Sequence, residues 1–315
     1  MMAVALLALA ADVLVPSPTL DSVCERVIAA THKEFPKLAK DQIAIGFGKI
    51  DRTGQVIEYG NNQGKVAFYP ASTVKLFYLA YGAVLLEQGK LKITPELERG
   101  FRDMIVDSSN DATGLILDTI TGTTGGPELP EKEMKVWMDK RNAVNRWLTG
   151  LGFSGINANQ KTWNEGPYGR ERLGYGPNFE RRNMLTPESG VRMMGLIALG
   201  KLVKKDRTEW MKSLLSRQIP ADSEKADFQS RAFVGASLPN GSKLWSKAGY
   251  TSDVRMDIAW AQLPTGEEYI FSIFTKGQSN EPKLIPFVAE QILKEIKSPV
   301  REAWRQDNLK PDPES

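Results

Sequence analysis

A serine followed three residues later by a lysine is the pair in this sequence best suited to chemistry. Ser72 and Lys75 lie in the segment YPASTVK, and a helix-like apolar run follows. Residues three apart on a helix share a face, and the positive N-terminal end favours an oxyanion while disfavouring a second cation. A lysine left neutral there can take the proton of the serine hydroxyl. The spacing indicates nucleophilic catalysis, although a helix-capping serine followed by a surface lysine has the same pattern.

Two further segments could contribute to the same chemistry. DSSND offers the Ser108 hydroxyl and the Asn110 carboxamide where one helical run ends and another begins. SKAGY lies in a strand-like run, where Lys247 interrupts apolar residues and Gly249 permits close approach of a ligand backbone. The alternative readings are helix-capping residues in the first segment and a solvent-facing lysine in the second.

The rarest residue types exclude several other chemistries. The chain of 315 residues has a single histidine, His32, and a single cysteine, Cys24. A zinc site rich in His or Cys cannot be built from them, and a Ser-His-Asp hydrolase would have to use a histidine in a surface-helix pattern. A lone cysteine also excludes an internal disulfide, so sulfur does not indicate the compartment.

Charge and hydropathy limit the partners. The net charge of +3 comes from scattered Lys and Arg residues without a polybasic block, which gives no indication of nucleic-acid binding. Residues 1–12 hold a short apolar run ending in ALA, which favours a secretory signal with an incomplete start over a loose N-terminal tail. No other run is long enough to span a bilayer, so we expect a soluble mature protein. The signal-like start favours a periplasmic or secreted location, with a cytoplasmic one as the alternative.

Hydrophobic periodicity predicts strands at both ends of the chain and helices between them. The composition, 41% hydrophobic and 25% charged, is that of a globular protein. An alternating pattern at 42–50 and strand-like patterns at 55–60, 243–250, 255–263 and 267–277 predict five strands. Apolar residues at three-and-four spacing predict helices from about residue 72 to 236. The expected fold is therefore α+β, with a five-stranded antiparallel sheet flanked by terminal helices, an inserted all-helical domain, and the active site between them.

This pattern divides the chain into five parts. They are a signal or disordered segment at 1–18, the first helix and hairpin at 19–69, the helical domain at 70–236, the remaining strands and last helix at 237–297, and a tail at 298–315. Within the helical part, residues 160–185 are rich in Gly, Pro, Asn and charge, which predicts an Ω-type loop at a functional edge. Thr186 and Pro187 then begin a helix, as N-cap and first helical residue.

The three segments together, in this order and on these elements, resemble the S-x-x-K, S-x-N and K-[TS]-G motifs of class A β-lactamases and penicillin-binding proteins. The resemblance covers about residues 20 to 297. It implies that Ser72 forms an acyl-enzyme after activation by Lys75. The backbone N–H groups of Ser72 and Tyr250, next to Gly249, would form the oxyanion hole.

The resemblance also assigns the remaining substrate contacts. Ser108 would pass a proton to the leaving nitrogen, and Lys247 would supply positive potential. Asn110 would bind the amide of the substrate side chain. Arg255 resembles the strand arginine that helps to hold a substrate carboxylate, with a surface ion pair as the alternative reading.

The sequence departs from the family pattern in three places. Ala248 stands where the third motif normally has Thr or Ser, which weakens recognition of a β-lactam carboxylate. Ser109 replaces the usual Asp of class A enzymes, and Ser108 follows Ser72 by only 36 positions, so one wall of the cleft is open or rebuilt.

Deacylation is the step for which the sequence offers no clean motif. Class A enzymes carry a glutamate in the loop before the Thr-Pro helix start. Glu171 and Glu165 are the candidates here, and either one could instead be a surface carboxylate paired with arginine.

We therefore expect β-lactam ring hydrolysis without metal or organic cofactor, by a monomer acting on a small molecule. The alternatives are a D-Ala-D-Ala carboxypeptidase or related amide or ester hydrolase, and a non-catalytic module that binds peptidoglycan or a protein partner. An intact set of Ser72, Lys75, Ser108 and Lys247 argues against the last of these.

Overall fold

A computed structural model describes residues 13–219 and 228–298 of the chain. The expected signal-peptidase site, and the expected C-terminal tail beyond its first residue, lie outside these ranges. Among the helices of the described ranges, none has the length and apolar character needed to cross a membrane.

The centre of the fold is a seven-stranded sheet with the order β1-β3-β2-β7-β6-β5-β4. Its strands are β1 (Leu14–Pro16), β2 (Ile43–Asp51), β3 (Val56–Asn62), β4 (Ser216–Arg217), β5 (Lys243–Tyr250), β6 (Val254–Gln262) and β7 (Glu268–Lys276). The α+β class is confirmed, and so are the five predicted strands, which correspond to β2, β3, β5, β6 and β7 and pair antiparallel.

The expected number of strands was wrong because the two edge strands are very short. β1 has three residues and β4 has two, too few for an alternating pattern to emerge. β1 comes from the segment expected to be a signal or loose tail, and it pairs in parallel with β3, so the sheet is mixed. β4 pairs with β5 at Leu244 and Trp245 only, so among the described residues no strand covers the outer edge of β5 beyond that point.

The helices of the described ranges begin with α1 (Pro18–Glu34), which precedes the β2–β3 hairpin. Those between β3 and β5 are α2 (Lys75–Glu87), α3 (Pro95–Ile105), α4 (Asn110–Thr121), α5 (Glu131–Arg141), α6 (Ala143–Gly150), α7 (Gly169–Gly174), α8 (Pro187–Ala198), α9 (Lys205–Leu215) and α10 (Phe228–Arg231). The last is α11 (Leu284–Glu295). The pattern at 131–152 suggested one helix, and the structure has two, joined at Asn142.

Two apolar layers cover the sheet. The terminal helices α1 and α11 bury residues such as Val27 and Ile292 against one face. On the other face α8, whose N-cap Thr186 forms a capping box with Ser189, packs on the central strands and joins the core of the remaining helices. A methyl group at Gly190 would come within 2.4 Å of a side-chain oxygen of β7, so α8 can lie this close only with glycine there. This packing places the start of α2 beside the open edge of β5.

Candidate active site

Ser72 lies in a 3-10 turn, Ala71–Val74, immediately before α2. The turn is fixed by Thr73, whose backbone N–H and hydroxyl both donate to the carbonyl of Pro70, at 3.1 and 2.8 Å. Ala71 has φ +44°, a left-handed conformation that an L side chain rarely adopts. Such strain directly before a serine at a helix start is typical of functional sites.

Gly249 brings strand β5 against this turn. A Cβ atom at this position would lie 2.8 Å from the backbone nitrogens of both Ser72 and Thr73, and 2.9 Å from the carbonyl oxygen of Pro70. These neighbours are backbone atoms that cannot rotate away. Glycine is therefore required for the strand to approach the nucleophile turn, whereas the sequence suggested approach of a ligand backbone.

Lys75 is fully buried and faces the second segment of the site. Its Nζ donates to the carbonyl oxygen of Ser108 at 2.5 Å, to Oδ1 of Asn110 at 2.9 Å and to Oγ of Ser108 at 3.3 Å. None of these partners carries a charge, and no carboxylate of the described ranges forms an ion pair with Lys75. Burial lowers the pKa of Lys75 to about 7, so near neutral pH the amine is free to accept a proton.

Ser108 is the meeting point of the two lysines. Its Oγ lies 3.0 Å from Nζ of Lys247 and 3.3 Å from Nζ of Lys75. Its φ of +56° is left-handed, a strained conformation in the bend between α3 and α4. A hydroxyl held between two amines can relay a proton from one side of the site to the other.

Lys247 is fully buried on β5, which removes the reading of a solvent-facing lysine. Besides Ser108, its Nζ contacts Oε1 of Gln229 at 2.6 Å and the carbonyl oxygen of Ala248 at 2.8 Å. These contacts hold the amine of Lys247 against Ser108 and Gln229.

Asn110 connects Lys75 to the long loop. Its Oδ1 accepts from Lys75, so its Nδ2 faces outward and donates to Oδ1 of Asn164 at 2.6 Å. Asn164 therefore links the loop to Lys75 through Asn110. The side chain that makes this link is an amide, not a carboxylate. Nothing in the loop's periodicity pointed to this residue.

The loop itself closes on its own ends, as an Ω-type loop does. Asn157 and Met184 pair through their backbones, and Oδ1 of Asn183 accepts from the backbone N–H of Gln160 at 2.9 Å. Within it, Glu171 of α7 is almost fully buried and ion-paired with Arg141 and Lys161, at 2.8 and 2.9 Å.

Asp118 of α4 completes this charge cluster. It lies 2.8 Å from Arg141 and 2.6 Å from Lys161, so two acidic and two basic side chains join α4, α5 and the loop. Glu171 forms ion pairs with the two buried cations of this cluster. Glu171 is not among the described hydrogen-bond partners of Lys75. In the structure Glu171 therefore anchors the loop, and its expected role as a base beside Ser72 stays a prediction.

Glu165, the other candidate carboxylate, is exposed. It lines an open cavity of about 390 Å³ between α4 and the start of the loop, together with Asn110 and Asn164. The structure brings neither glutamate into hydrogen-bond contact with the amine of Lys75 in the described part of the chain.

Tyr250 ends β5 and Arg255 lies at the start of β6, and the two residues pair across the strands. The guanidinium of Arg255 lies 5.7 Å from the Tyr250 ring centroid and 5.0 Å from that of Phe233, and it donates through Nε to the carbonyl of Ser279 at 3.1 Å. Arg255 is therefore buried beside Tyr250. The alternative hypothesis, an ion pair on the protein surface, required an exposed side chain.

The model of the beta-lactamase enzyme family matches residues 94–296, more than half of the chain, and the chain belongs to this family. Membership in this family supports a serine hydrolase of the β-lactamase fold. The match includes Ser108 and Lys247 and begins after Lys75.

Solved structures show the same fold at low sequence identity. A point mutant of PBP-A, described as an acyl-enzyme complex with penicillin-G, has a TM-score of 0.64, with 17% identity over 90% of this chain and 97% of that one. The extended-spectrum β-lactamase TLA-1 has a TM-score of 0.63, with 13% identity over 87% and 99%. A β-lactamase from Sphaerobacter thermophilus has a TM-score of 0.59, with 18% identity over 85% and 95%.

A curated relative is Golvesin of Dictyostelium discoideum, which is 28% identical over 192 residues, or 56% of this chain. The match covers 30% of the length of Golvesin, so this chain corresponds to only part of that protein.

Proposed function

We propose that this chain is a serine hydrolase that forms an acyl-enzyme at Ser72 with β-lactams and with related amides of peptide origin. The observation that supports this most strongly is the buried Lys75. It lies one helical turn from Ser72, has only neutral hydrogen-bond partners, and has a pKa near 7. A neutral amine at that position is the base that a serine nucleophile needs.

In the proposed acylation, Oγ of Ser72 attacks the amide carbonyl while Lys75 takes the hydroxyl proton. The oxyanion forms between the backbone N–H groups of Ser72 and Tyr250. When the C–N bond breaks, the proton reaches the leaving nitrogen through Oγ of Ser108, which lies between Lys75 and Lys247. No step requires a metal, and the described residues contain no cluster of acidic, His or Cys side chains that could hold one.

Substrate orientation follows from the groups around the turn. Asn110 would hydrogen-bond the amide on the acyl side, while Lys247 and Arg255 would attract a carboxylate on the leaving-group side. Ala248 contributes no hydroxyl there, so we expect weaker β-lactam recognition than in family members that have Thr or Ser. A secreted or periplasmic monomer acting on a small molecule fits this proposal.

The fate of the acyl-enzyme separates β-lactam hydrolysis from penicillin binding. Water needs a general base to attack an ester at a useful rate. The loop residue in hydrogen-bond contact with Asn110 is Asn164, whose amide cannot take a proton, and Glu171 is ion-paired with Arg141 and Lys161. These contacts favour the peptidase-like alternative, in which a β-lactam acylates Ser72 and is released slowly.

The experiment is intact-protein mass spectrometry after mixing with benzylpenicillin, sampled from seconds to hours, with Ser72→Ala as the control. We expect an adduct of the mass of the intact antibiotic that persists for many minutes and is absent from Ser72→Ala. Asn164→Glu should shorten its lifetime by roughly a hundredfold, the lower end of one general-base contribution, while Asn164→Gln should not.

Each contrary result has a defined meaning. An adduct that clears within seconds in the unmodified chain would favour β-lactam hydrolysis over the peptidase-like alternative. Deacylation would then require a general base other than Asn164. If no adduct forms and chromogenic cephalosporins are not opened, the proposal of β-lactam acylation fails. Labelling that persists in Ser72→Ala would refute Ser72 as the nucleophile.

A further inference from the structure

A buried glutamine outside the recognised motifs joins two of the elements that carry them. Gln229 of α10 is only 5% exposed. Its Oε1 accepts from Nζ of Lys247 at 2.6 Å and from the backbone N–H of Ala248 at 3.3 Å. Its Nε2 donates to the carbonyl oxygens of Val106 and Ile105, at 2.9 and 3.3 Å.

Those carbonyls belong to the C-terminal end of α3, where backbone acceptors have no partner within the helix. The chain turns directly from there into Ser108. Gln229 therefore links the helix end that carries the Ser108 hydroxyl to the strand that carries Lys247. The hydroxyl and the amine that it joins are 3.0 Å apart.

The chemistry of the two ends selects glutamine. A lysine ammonium is donor only, so it requires the amide oxygen, and the amide nitrogen must then face acceptors, which the two carbonyls supply. A carboxylate in place of the Gln229 amide would face those carbonyls without a donor, and an apolar residue would leave buried donors and acceptors unsatisfied.

Arg217 of β4 joins the same two elements at a neighbouring point. Its Nη2 donates to the carbonyl of Ile105 at 2.8 Å and to that of Ser246 at 3.1 Å. Arg217 and Gln229 therefore each connect α3 to β5 by hydrogen bonds. The contacts of Gln229 include a hydrogen bond from the amine of Lys247.

We propose that Gln229 is a positioning residue for acylation, which holds the amine of Lys247 against the hydroxyl of Ser108. The proposal rests on the proposed function of this site. It predicts that the effect of Gln229 on the reaction passes through Lys247, whereas a residue that only supports the fold would act whether or not that lysine is present.

The test is a double-mutant cycle on the full chain. The second-order acylation rate with benzylpenicillin is measured for the unmodified chain, Gln229→Met, Lys247→Met and the double variant. We expect Gln229→Met to lower the rate about tenfold, the worth of one hydrogen bond to a charged group. In the Lys247→Met background, the same substitution should change the rate less than twofold. Gln291→Met, at a partly exposed glutamine of α11, is the matched control and should have no effect.

Thermal unfolding and a second substitution guard against a folding defect. Gln229→Glu keeps an acceptor for Lys247 and should acylate faster than Gln229→Met even if both melt at a lower temperature. Equal losses in both lysine backgrounds, or an unchanged rate in Gln229→Met, would overturn the proposal.

If benzylpenicillin does not acylate the unmodified chain, the proposed substrate class fails, and the cycle is run with a fluorophosphonate that labels Ser72 by displacement of fluoride. The same criterion of non-additivity then decides the role of Gln229 independently of the substrate.

Discussion

The pH dependence of acylation is the most direct test of the buried lysine. Burial lowers the pKa of Lys75 from 10.5 to about 7. At pH 7 about half of the molecules then carry a neutral amine, against roughly one in 3,000 for an unperturbed lysine, so burial increases the free base by about three orders of magnitude. The deprotonated form dominates above the pKa, so the acylation rate should rise with pH.

Between pH 6 and pH 8 the neutral fraction grows from about 0.09 to about 0.91, and the acylation rate should increase about tenfold before it levels off. The assay is stopped-flow acylation by a chromogenic cephalosporin from pH 5.5 to 9.5, at constant ionic strength. Lys75→Arg, which stays protonated throughout, should remove most of the rate at every pH.

A flat profile across this range would show that acylation does not follow the titration of Lys75, and a rise centred above pH 9 would show that Lys75 is protonated near neutral pH. The proton of Ser72 would then have to go to another group, and the argument from burial would be refuted.

Two further substitutions test the packing of the site and of the loop. Gly249→Ala should reduce acylation by at least tenfold, because the new methyl group would meet the backbone nitrogen of Ser72 at 2.8 Å; acylation at the unmodified rate would show that the strand can retreat without cost. Glu171→Gln should lower the melting temperature by roughly 5–10 °C, since it leaves Arg141 with less compensation in a buried site, and should leave the lifetime of the acyl-enzyme unchanged. A longer-lived adduct in Glu171→Gln would instead identify that carboxylate as the base.

Much of the fold could be predicted because the central elements have clear periods. The strands β2, β5, β6 and β7 have eight or nine residues with recognisable patterns, and Thr186-Pro187 is a strong helix start. Edge strands of two or three residues have no period, and their pairing depends on the sheet already being formed.

For the site, the residues placed by local spacing were easier to predict than those placed by the fold. Ser72 and Lys75 are neighbours on one turn, so their relation follows from helix geometry. Asn164 and Gln229 reach the site from an irregular loop and from a four-residue helix, so no pattern in the sequence brings them near Lys75 or Lys247. The ion pairs of Glu171 could not be foreseen, because distance along the chain does not reveal the cations that surround it.

The charge cluster of Asp118, Arg141, Lys161 and Glu171 also has a consequence for how such sequences can diverge. Its two acids and two bases balance one another, with Asp118 partly exposed and the other three buried, and replacing one member alone leaves a charge without full compensation. We expect relatives that keep this loop to retain all four residues, and relatives that lose one to lose an oppositely charged partner as well. Within the family, the four positions should therefore be inherited as correlated pairs rather than drift independently.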